Sequence, residues 1–314
     1  MLLILTSKED LTADFLIIEL INRQLPYFRL NAEDLTEAEF AFSLTEAAVS
    51  RKVTVGPRTL DLDEVKSIWY RRAIHPVGVT TMPRGERAFI TGELRHLVMG
   101  LVLNPDVIWV NPIANVSVAE HKIYQLQMAR QLGFRVPQTL VSRDRIKLQN
   151  FVADHQAGTI CKPIFHGMFF DESSAYSVYT RRVTADSLEA ENVRVCPVFL
   201  QEEITRIADV RATFIGPRCF VADIKGDSSL VDWRDPAVAV SYTASSLSDE
   251  VEEMCRAMLA KLGLVYGAFD FVRTPDDQLV FLEVNPTGEW AWLEDCLAFP
   301  MRDAFIQLFY GEVT

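Results

Sequence analysis

The stretch Phe281-Leu282-Glu283-Val284-Asn285-Pro286-Thr287-Gly288 carries the sharpest structural signal of the sequence. The alternating run Leu279–Val284 leads into it and predicts a strand. A second apolar run, Gly267–Val272, predicts a partner strand, because the turn residues Pro275-Asp276-Asp277 lie between the two runs. The stretch therefore predicts a β-hairpin near the end of the sequence.

The hairpin would bring oxygen-bearing side chains together. Residues two apart on a strand share a face, so Glu283 and Asn285 project together while Leu282 and Val284 face the core. The partner strand can place Asp270 opposite the Glu283 region. An all-oxygen set without His or Cys suits Mg²⁺ rather than zinc. The same pattern is also typical of an exposed hairpin with ordinary surface acids.

The composition narrows the class of protein. A chain of 314 residues predicts about two domains of ~150 residues each. With 49% hydrophobic and 24% charged residues, the chain can bury a large core, which excludes disorder as its main state. A net charge of −12 argues against a broad basic surface, so no nucleic acid partner is expected.

Cysteine spacing and hydropathy predict where the protein works. The five cysteines include no CxxC pair, which argues against a disulfide framework or a zinc site and for a reducing compartment. No apolar run reaches the ~20 residues that a membrane helix needs. We therefore expect a cytoplasmic protein with no membrane partner.

The first third of the sequence predicts an α/β layer. Leu2–Leu5 and Tyr27–Leu30 read as short buried strands, and between them Thr12 is expected to cap a helix that runs to about Gln24. A strand-helix-strand unit implies parallel pairing of its strands. The first turn, Thr6-Ser7-Lys8-Glu9-Asp10, has no glycine, so the unit is not a dinucleotide site.

Asn111-Pro112 marks a boundary, after which helix signals recur. Ser117-Val118-Ala119-Glu120 has the spacing of a capping box, and the helix it predicts ends at Gly133. Ser142 and Ser248 are expected to cap two further helices. Additional strands are predicted over Thr159–Pro163, Val198–Glu203, Val210–Ile215 and Cys219–Lys225.

Motifs in this second part resemble the ATP-grasp superfamily. Asp270 followed by Glu283-Val284-Asn285-Pro286 resembles its metal-binding end. The other expected motifs come before it in order: Lys122 with Gly133-Phe134-Arg135-Val136-Pro137, Cys161-Lys162-Pro163, Gln201-Glu202-Glu203-Ile204, and Asp209-Val210-Arg211. Each motif is weak alone, but five in order are fairly specific.

The resemblance implies a role for each motif. Lys122 and Lys162 would neutralise the phosphates of ATP, and Asp270, Glu283 and Asn285 would hold Mg²⁺. The hinge residues Gln201, Glu202, Glu203 and Ile204 would grip the adenine, and Asp209 would take the ribose side. One departure is the loop 166–174 after the second lysine, which has a single glycine where the superfamily is glycine-rich.

Three further segments resemble the graspetide ligases, the microviridin-type branch of the superfamily: Trp69-Tyr70-Arg71-Arg72, Asp232-Trp233-Arg234 and Glu283-Val284-Asn285-Pro286-Thr287-Gly288-Glu289-Trp290. This resemblance spans nearly the whole chain. It implies an N-terminal pre-ATP-grasp α/β domain over residues 1–112. An ATP-grasp fold would follow, with two α+β subdomains, 113–196 and 197–314, that clasp ATP.

The branch implies a concrete reaction. Graspetide ligases activate Asp or Glu side chains of a ribosomal precursor peptide as acyl phosphates and form ester or amide crosslinks within it. Arg211 and Arg234 are our candidates for holding the acyl phosphate or the incoming carboxylate, because arginine binds both bidentately. The expected partners are a precursor peptide, with leader and core, and a second copy of the chain in a homodimer.

Three other functions stay open from the sequence. One is a peptide carrier, whose first domain would bind a leader without ATP turnover. A RimK-like amino-acid or peptide ligase would use the same ATP site but join two separate substrates. A non-catalytic nucleotide-binding module would keep the fold without turnover, although the metal motif and both lysines argue against it.

Overall fold

Strand β1 (Leu2–Thr6) begins a parallel sheet, as its uninterrupted apolar sequence predicts. The structure is a computed structural model that describes residues 1–72, 82–104, 106–165, 167–170, 175–188, 190–226, 231–233 and 239–311. Those residues form two compact units: Met1–Ile113 with Glu289–Glu294 and Pro300–Thr314, and Ala114–Gly288 with Asp295–Phe299. The three-domain division at 112 and 196 stays a prediction.

The described residues of the first unit form two sheets. The parallel sheet has the order β2-β1-β6-β7, and an antiparallel sheet has the order β3-β4-β5. The elements are β1, α1 (Leu11–Asn22), β2 (Tyr27–Asn31), β3 (Glu39–Leu44), β4 (Val49–Val55), β5 (Arg58–Asp61), β6 (Ser67–Tyr70), α2 (Arg84–Val102) and β7 (Ile108–Val110). The predicted parallel pairing of the first two strands is confirmed, with Leu3 opposite Phe28.

The second unit is built on antiparallel strands. Its four-stranded sheet has the order β12-β9-β13-β8, and its five-stranded sheet has the order β16-β15-β14-β17-β18. Its elements are α3 (Ile113–Ala119), α4 (Lys122–Leu132), β8 (Thr139–Ser142), α5 (Arg145–Asp154), β9 (Thr159–Cys161), β10 (Met168–Phe170), β11 (Ala175–Ser177), β12 (Arg181–Arg182), α6 (Ala190–Val195), β13 (Val198–Glu202), β14 (Ala208–Ile215), β15 (Arg218–Lys225), β16 (Ser241–Ser245), α7 (Asp249–Leu262), β17 (Tyr266–Arg273) and β18 (Leu279–Asn285).

One face of the five-stranded sheet makes the main core of the second unit. Helices α4 and α7 pack on it through Leu126, Ala129, Met258 and Leu262, all of them buried. Aromatic rings fill the centre, where Phe134 lies 5.3 Å from Phe281 between ring centroids. Because strand side chains alternate, the opposite face of the same sheet carries Asp209, Arg211, Asp270 and Glu283 among buried apolar residues, and we call it the polar face.

Helix ends follow the sequence signals only in part. Ser248 caps α7 by accepting from the amide of Val251, and Gly133 ends α4 in the left-handed conformation, as predicted. Three other start signals were wrong. Asp10 rather than Thr12 caps α1, Asp144 rather than Ser142 caps α5, and Ser117 lies inside α3.

The chain ends in two helices, α8 (Ala291–Leu297) and α9 (Met301–Tyr310), that the sequence did not predict. Helix α9 belongs to the first unit, where Phe305 packs 5.4 Å from Trp69 and 4.8 Å from Trp290 between ring centroids. Helix α9 thus completes the core of the first unit. Among the described residues, no helix combines the length and apolar character needed to cross a bilayer.

Candidate active site

A row of charged side chains crosses the polar face of the five-stranded sheet. Arg211 on β14 is the register partner of Asp270 on β17, and Asp270 is the partner of Glu283 on β18. The guanidinium of Arg211 donates from Nη1 to both carboxylate oxygens of Asp270, at 2.9 Å each. The two predicted metal carboxylates therefore lie opposite each other, with an arginine at one side.

A β-bulge sets this row. Asp270 pairs with Glu283 but Phe271 pairs with Phe281, so β18 carries one extra residue, Leu282. The expectation that Leu282 faces the core was wrong. Phe281 and Val284 fill the core instead, and Leu282 is only half-buried. The bulge lets both apolar residues point inward while Glu283 stays on the polar face.

Lys122 balances the second carboxylate. It is the first residue of α4, and its Nζ lies 3.3 Å from Oε2 of Glu283 and 3.2 Å from the carbonyl oxygen of Pro163. Like charges directly opposite on neighbouring strands destabilise a sheet. Here one cation contacts each carboxylate, which offsets that repulsion.

The oxygen donors fit a magnesium ion. The side chains of Asp270 and Glu283 are 19% and 18% exposed, so solvent reaches them but does not surround them. Among the described residues, no three His, Cys, Asp or Glu side chains group closely enough to hold a metal. Mg²⁺ commonly uses only one or two protein carboxylates and completes its shell with water and phosphate oxygens.

Asn285 follows on the same strand face, opposite Ala268. Its Oδ1 accepts weakly from the amide of Thr287, at 3.3 Å, which turns the chain after the strand. Gly288 then lies on Ala268: a Cβ added at Gly288 would come 2.8 Å from the Cβ of Ala268. The hydroxyl of Tyr266 donates to the carbonyl of Gly288 at 2.7 Å and fixes this turn.

Lys162 lies just beyond β9, which ends at Cys161 rather than at Pro163 as predicted. Its backbone amide donates to the carbonyl of Phe199 on β13, and its ammonium lies 5.3 Å from the centre of that phenyl ring. Ile160 pairs with Gln201 in the same region of the sheet. The second predicted lysine is thus held beside the predicted hinge strand.

Gln201 presents a buried acceptor. Its Nε2 donates to Oγ1 of Thr139 at 2.9 Å, and the Thr139 hydroxyl donates to the carbonyl of Pro137. The hydroxyl is committed to that carbonyl, so the Gln201 amide can only present its nitrogen to it. Oε1 of Gln201 is buried and makes no hydrogen bond to any of the described residues. A ligand donor is what such an acceptor lacks.

The other predicted hinge residues differ in their contacts. Glu202 accepts from the amide of Gln138 at 2.9 Å, and Glu203 forms an ion pair with Arg182 at 2.6 Å. Ile204 is half-buried after the strand. Neither acid is therefore an unengaged surface charge, and Arg182 is a residue that the sequence reasoning missed.

The last predicted positions divide between described and undescribed residues. Asp209 is the first residue of β14 on the polar face, and its Oδ1 lies 3.5 Å from Nη1 of Arg206. Arg234 lies outside the described residues, and so does most of the loop 166–174. Sequence reasoning also missed Gln125 and Thr139, since neither residue has chemistry of its own that would mark it in the sequence.

The first unit has its own buried polar cluster. Arg71, following β6, donates to both carboxylate oxygens of Asp10 at 3.2 and 3.3 Å and to Glu289 at 3.0 Å. Asp10 also accepts from the hydroxyl of Thr6 at 2.6 Å. Burial opposes ionisation of Asp10 most strongly, but Arg71 and Thr6 together outweigh it and hold the pKa of this carboxyl below its usual value.

The fold is that of ATP-grasp ligases with an N-terminal pre-ATP-grasp domain, as the motifs predicted. Residues 1–117 match the family model of the MvdD pre-ATP grasp domain. No curated protein sequence matches the chain significantly.

Solved structures resemble the chain over its full length. The macrocyclase MdnC of Microcystis aeruginosa MRC, bound with precursor peptide MdnA, is 28% identical over 98% of this chain and 99% of its own, with a TM-score of 0.86. A RiPP-associated ATP-grasp ligase of Chryseobacterium gregarium, in complex with ADP and a leader and core peptide, is 20% identical over 100% and 97%, with a TM-score of 0.87. The ligase PsnB, complexed with minimal precursor, Mg and ADP, is 21% identical over 98% of each chain, with a TM-score of 0.73.

The predicted resemblance and fold class are therefore confirmed. The two relatives below 25% identity bear on the fold alone.

Proposed function

We propose that this chain is an ATP-dependent macrocyclase of the graspetide type. It would activate an Asp or Glu side chain of a ribosomal precursor peptide and join it to a Ser, Thr or Lys side chain of the same peptide. The main support for the proposal is the row of charged residues Arg211, Asp270 and Glu283, in which Lys122 contacts Glu283. The chain that carries this row is similar to MdnC over its full length.

The described residues divide the work of binding the nucleotide. Asp270, Glu283 and Asn285 would hold Mg²⁺, which when bound supplies positive charge to the phosphates. Lys122 and Lys162 would add point charges at the same phosphates.

The adenine side lies on the hinge strand. Gln201, Glu202, Glu203 and Ile204 would bind the base, and Asp209 the ribose. Oε1 of Gln201 is a buried acceptor in this group that has no partner among the described residues.

The reaction needs positioning more than covalent help from the protein. A carboxylate oxygen of the peptide attacks the γ-phosphorus, and the bond to ADP breaks. The hydroxyl or amine of the second side chain then attacks the acyl carbon, loses its proton, and phosphate leaves. The balance is one ATP converted to ADP and phosphate, and one water lost from the peptide per link. Arg211 and Arg234 would hold the anionic groups.

The peptides with which related structures are solved favour intramolecular ligation over the RimK-like alternative. MdnC is solved with a precursor peptide, and it covers this chain almost end to end. The peptide partner, the homodimer and the cytoplasmic location remain proposals.

Mass spectrometry tests the proposal directly. The protein, ATP, Mg²⁺ and the precursor peptide encoded beside its gene are incubated together, and the mass of the peptide is followed. Loss of one water per link, only with ATP, is expected. A mass gain equal to an added amino acid would favour the two-substrate ligase, and no change with no ADP released would overturn the ATP-dependent reaction.

Two variants connect this test to the site. D270N removes a proposed metal ligand and should abolish ATP-dependent mass loss while the protein stays folded. D276N, in the exposed turn of the same hairpin, is the matched control and should keep full activity. Unchanged activity of D270N would remove Asp270 from the catalytic assignment.

A further inference from the structure

Gln125 makes an unusually complete set of hydrogen bonds. Its side chain is buried, with 2% of its surface exposed. Nε2 donates to the carbonyl of Val284 at 2.8 Å, and Oε1 accepts from the amide of the same residue at 2.9 Å. Nε2 also donates to the carbonyl of Ala119, at the end of the preceding helix. One amide group thus joins α3, α4 and β18.

The contacted residue lies between two proposed metal ligands. Val284 stands between Glu283 and Asn285 on β18, which is the edge strand of the five-stranded sheet. The outward backbone groups of an edge strand have no neighbouring strand to pair with. Gln125 supplies both a donor and an acceptor to them, so its side chain acts as a one-residue partner strand at this point.

The same helix carries the proposed phosphate lysine. Lys122 precedes Gln125 by three residues, so the two lie on the same face of α4. Lys122 reaches Glu283 at 3.3 Å while Gln125 holds the next residue along the strand. The position of the lysine relative to the carboxylate is therefore fixed by the amide pair beside them.

We propose that Gln125 is a positioning residue that holds Lys122, Glu283 and Asn285 in the arrangement that binds Mg²⁺ and nucleotide. The inference rests on the proposed function and assigns a residue to it. Without the amide, α4 and the edge of β18 lose the hydrogen bonds that join them at Val284, and the outward backbone groups of Val284 lose their side-chain partner. Binding of Mg·ADP then weakens because its ligands are no longer held in place.

Calorimetry of Mg·ADP binding provides the test. Q125M keeps the length of the side chain and removes every hydrogen bond. We expect the dissociation constant to rise about tenfold or more, in line with the loss of hydrogen bonds from a buried site. Q127M changes an exposed glutamine of the same helix and should bind as the unchanged protein does. Equal binding by folded Q125M overturns the positioning role.

Steady-state kinetics separates positioning from a merely structural effect. Q125M should raise the KM for ATP far more than it lowers kcat, and excess Mg²⁺ should recover part of the loss. A fall in kcat alone would contradict the inference. If the unchanged protein binds no Mg·ADP, the proposed function itself fails, and the inference falls with it.

Hydrogen exchange tests the contact in the unchanged protein, whether or not Q125M folds. The amide of Val284 faces outward from an edge strand, so without Gln125 it would exchange quickly. We expect it to be among the slowest amides of β18. Fast exchange at Val284 overturns the inference independently of any nucleotide measurement.

Discussion

At the residue scale, the site depends on pairing opposite charges before any ligand binds. Asp270 and Glu283 face each other on neighbouring strands, and each contacts its own cation, Arg211 or Lys122. This arrangement keeps two carboxylates together at a small electrostatic cost. A divalent cation held by these carboxylates, as proposed, would compete with the cations Arg211 and Lys122.

The proposed adenine contact of Gln201 leads to an expectation about nucleotide selection. Its buried Oε1 needs a donor, which the amino group of adenine offers and the carbonyl of guanine does not. T139V removes the hydroxyl that orients the Gln201 amide. We expect the preference for ATP over GTP, measured as a ratio of kcat/KM values, to narrow by about tenfold. T243V, which removes an exposed hydroxyl from β16 in the other sheet, is the control. An unchanged ratio in T139V would count against this role of Gln201.

Arg71 is expected to be a large contributor to stability. Removing one member of a buried ion pair typically costs about 3–5 kcal/mol, because the other charge stays buried and uncompensated. R71M should therefore lower the free energy of unfolding by that amount, measured in urea. R72M alters the neighbouring, half-exposed arginine and should cost far less. Equal effects of the two variants would contradict the argument.

The partner of Arg71 predicts an acid dependence. The folded-state pKa of Asp10 is lowered, so its contribution to stability is complete above its unfolded pKa of ~4 and is lost as the pH falls through the folded value. The difference in unfolding free energy between the unchanged protein and D10N should be large at neutral pH and shrink in acid. Urea titrations across that range measure it, and a constant difference would refute the linkage.

At the element scale, the turn after β18 depends on a missing side chain. A Cβ at position 288 would lie 2.8 Å from that of Ala268, closer than real side chains approach. G288A should lower the free energy of unfolding by about 1–3 kcal/mol. The double variant G288A/A268G should recover most of the loss. Since nothing lies within 4 Å of a Cβ at Gly92, in the middle of α2, G92A should be neutral or slightly stabilising.

Elements also show where local signals compete. Ser117 and Glu120 have capping-box spacing, yet α3 runs from Ile113 through Ala119 and α4 begins only at Lys122. The break lets Gln125 reach the carbonyl of Ala119. The break also lets Gln125 bond to Val284 on the distant strand β18. A local sequence pattern does not reveal a contact with a distant strand.

At the scale of the whole molecule, the chain returns to its first unit at the end. Phe305 of α9 is fully buried against Trp69 and Trp290. F305A should lower the free energy of unfolding of this unit by about 3–5 kcal/mol. Q307A, exposed on the same helix, should leave it unchanged. Limited proteolysis followed by mass analysis measures this effect, and we expect F305A to be cleaved faster than Q307A at residues of the first unit. Equal resistance of F305A and Q307A to cleavage would contradict the packing.

The sequence by itself determined the periodic elements and the type of chemistry. Strand alternation around Glu283, the turn at residues 275–277, and Gly133 after a helical run follow from steric rules that act within a few residues. The order of motifs, from Lys122 to Asn285, predicted the ATP-grasp fold. These signals are local or sequential, so one sequence contains them.

Only the tertiary structure decided which residues meet from distant parts of the chain. The ion pair joins Lys122 to Glu283, 161 residues further along the chain, and Gln125 bonds to Val284. The bulge at Leu282 places Glu283 where that ion pair can form. The return of α9 to the first unit is of the same kind. Contacts at such separations form because packing and charge compensation are satisfied over the whole fold, and no short stretch of sequence records that balance.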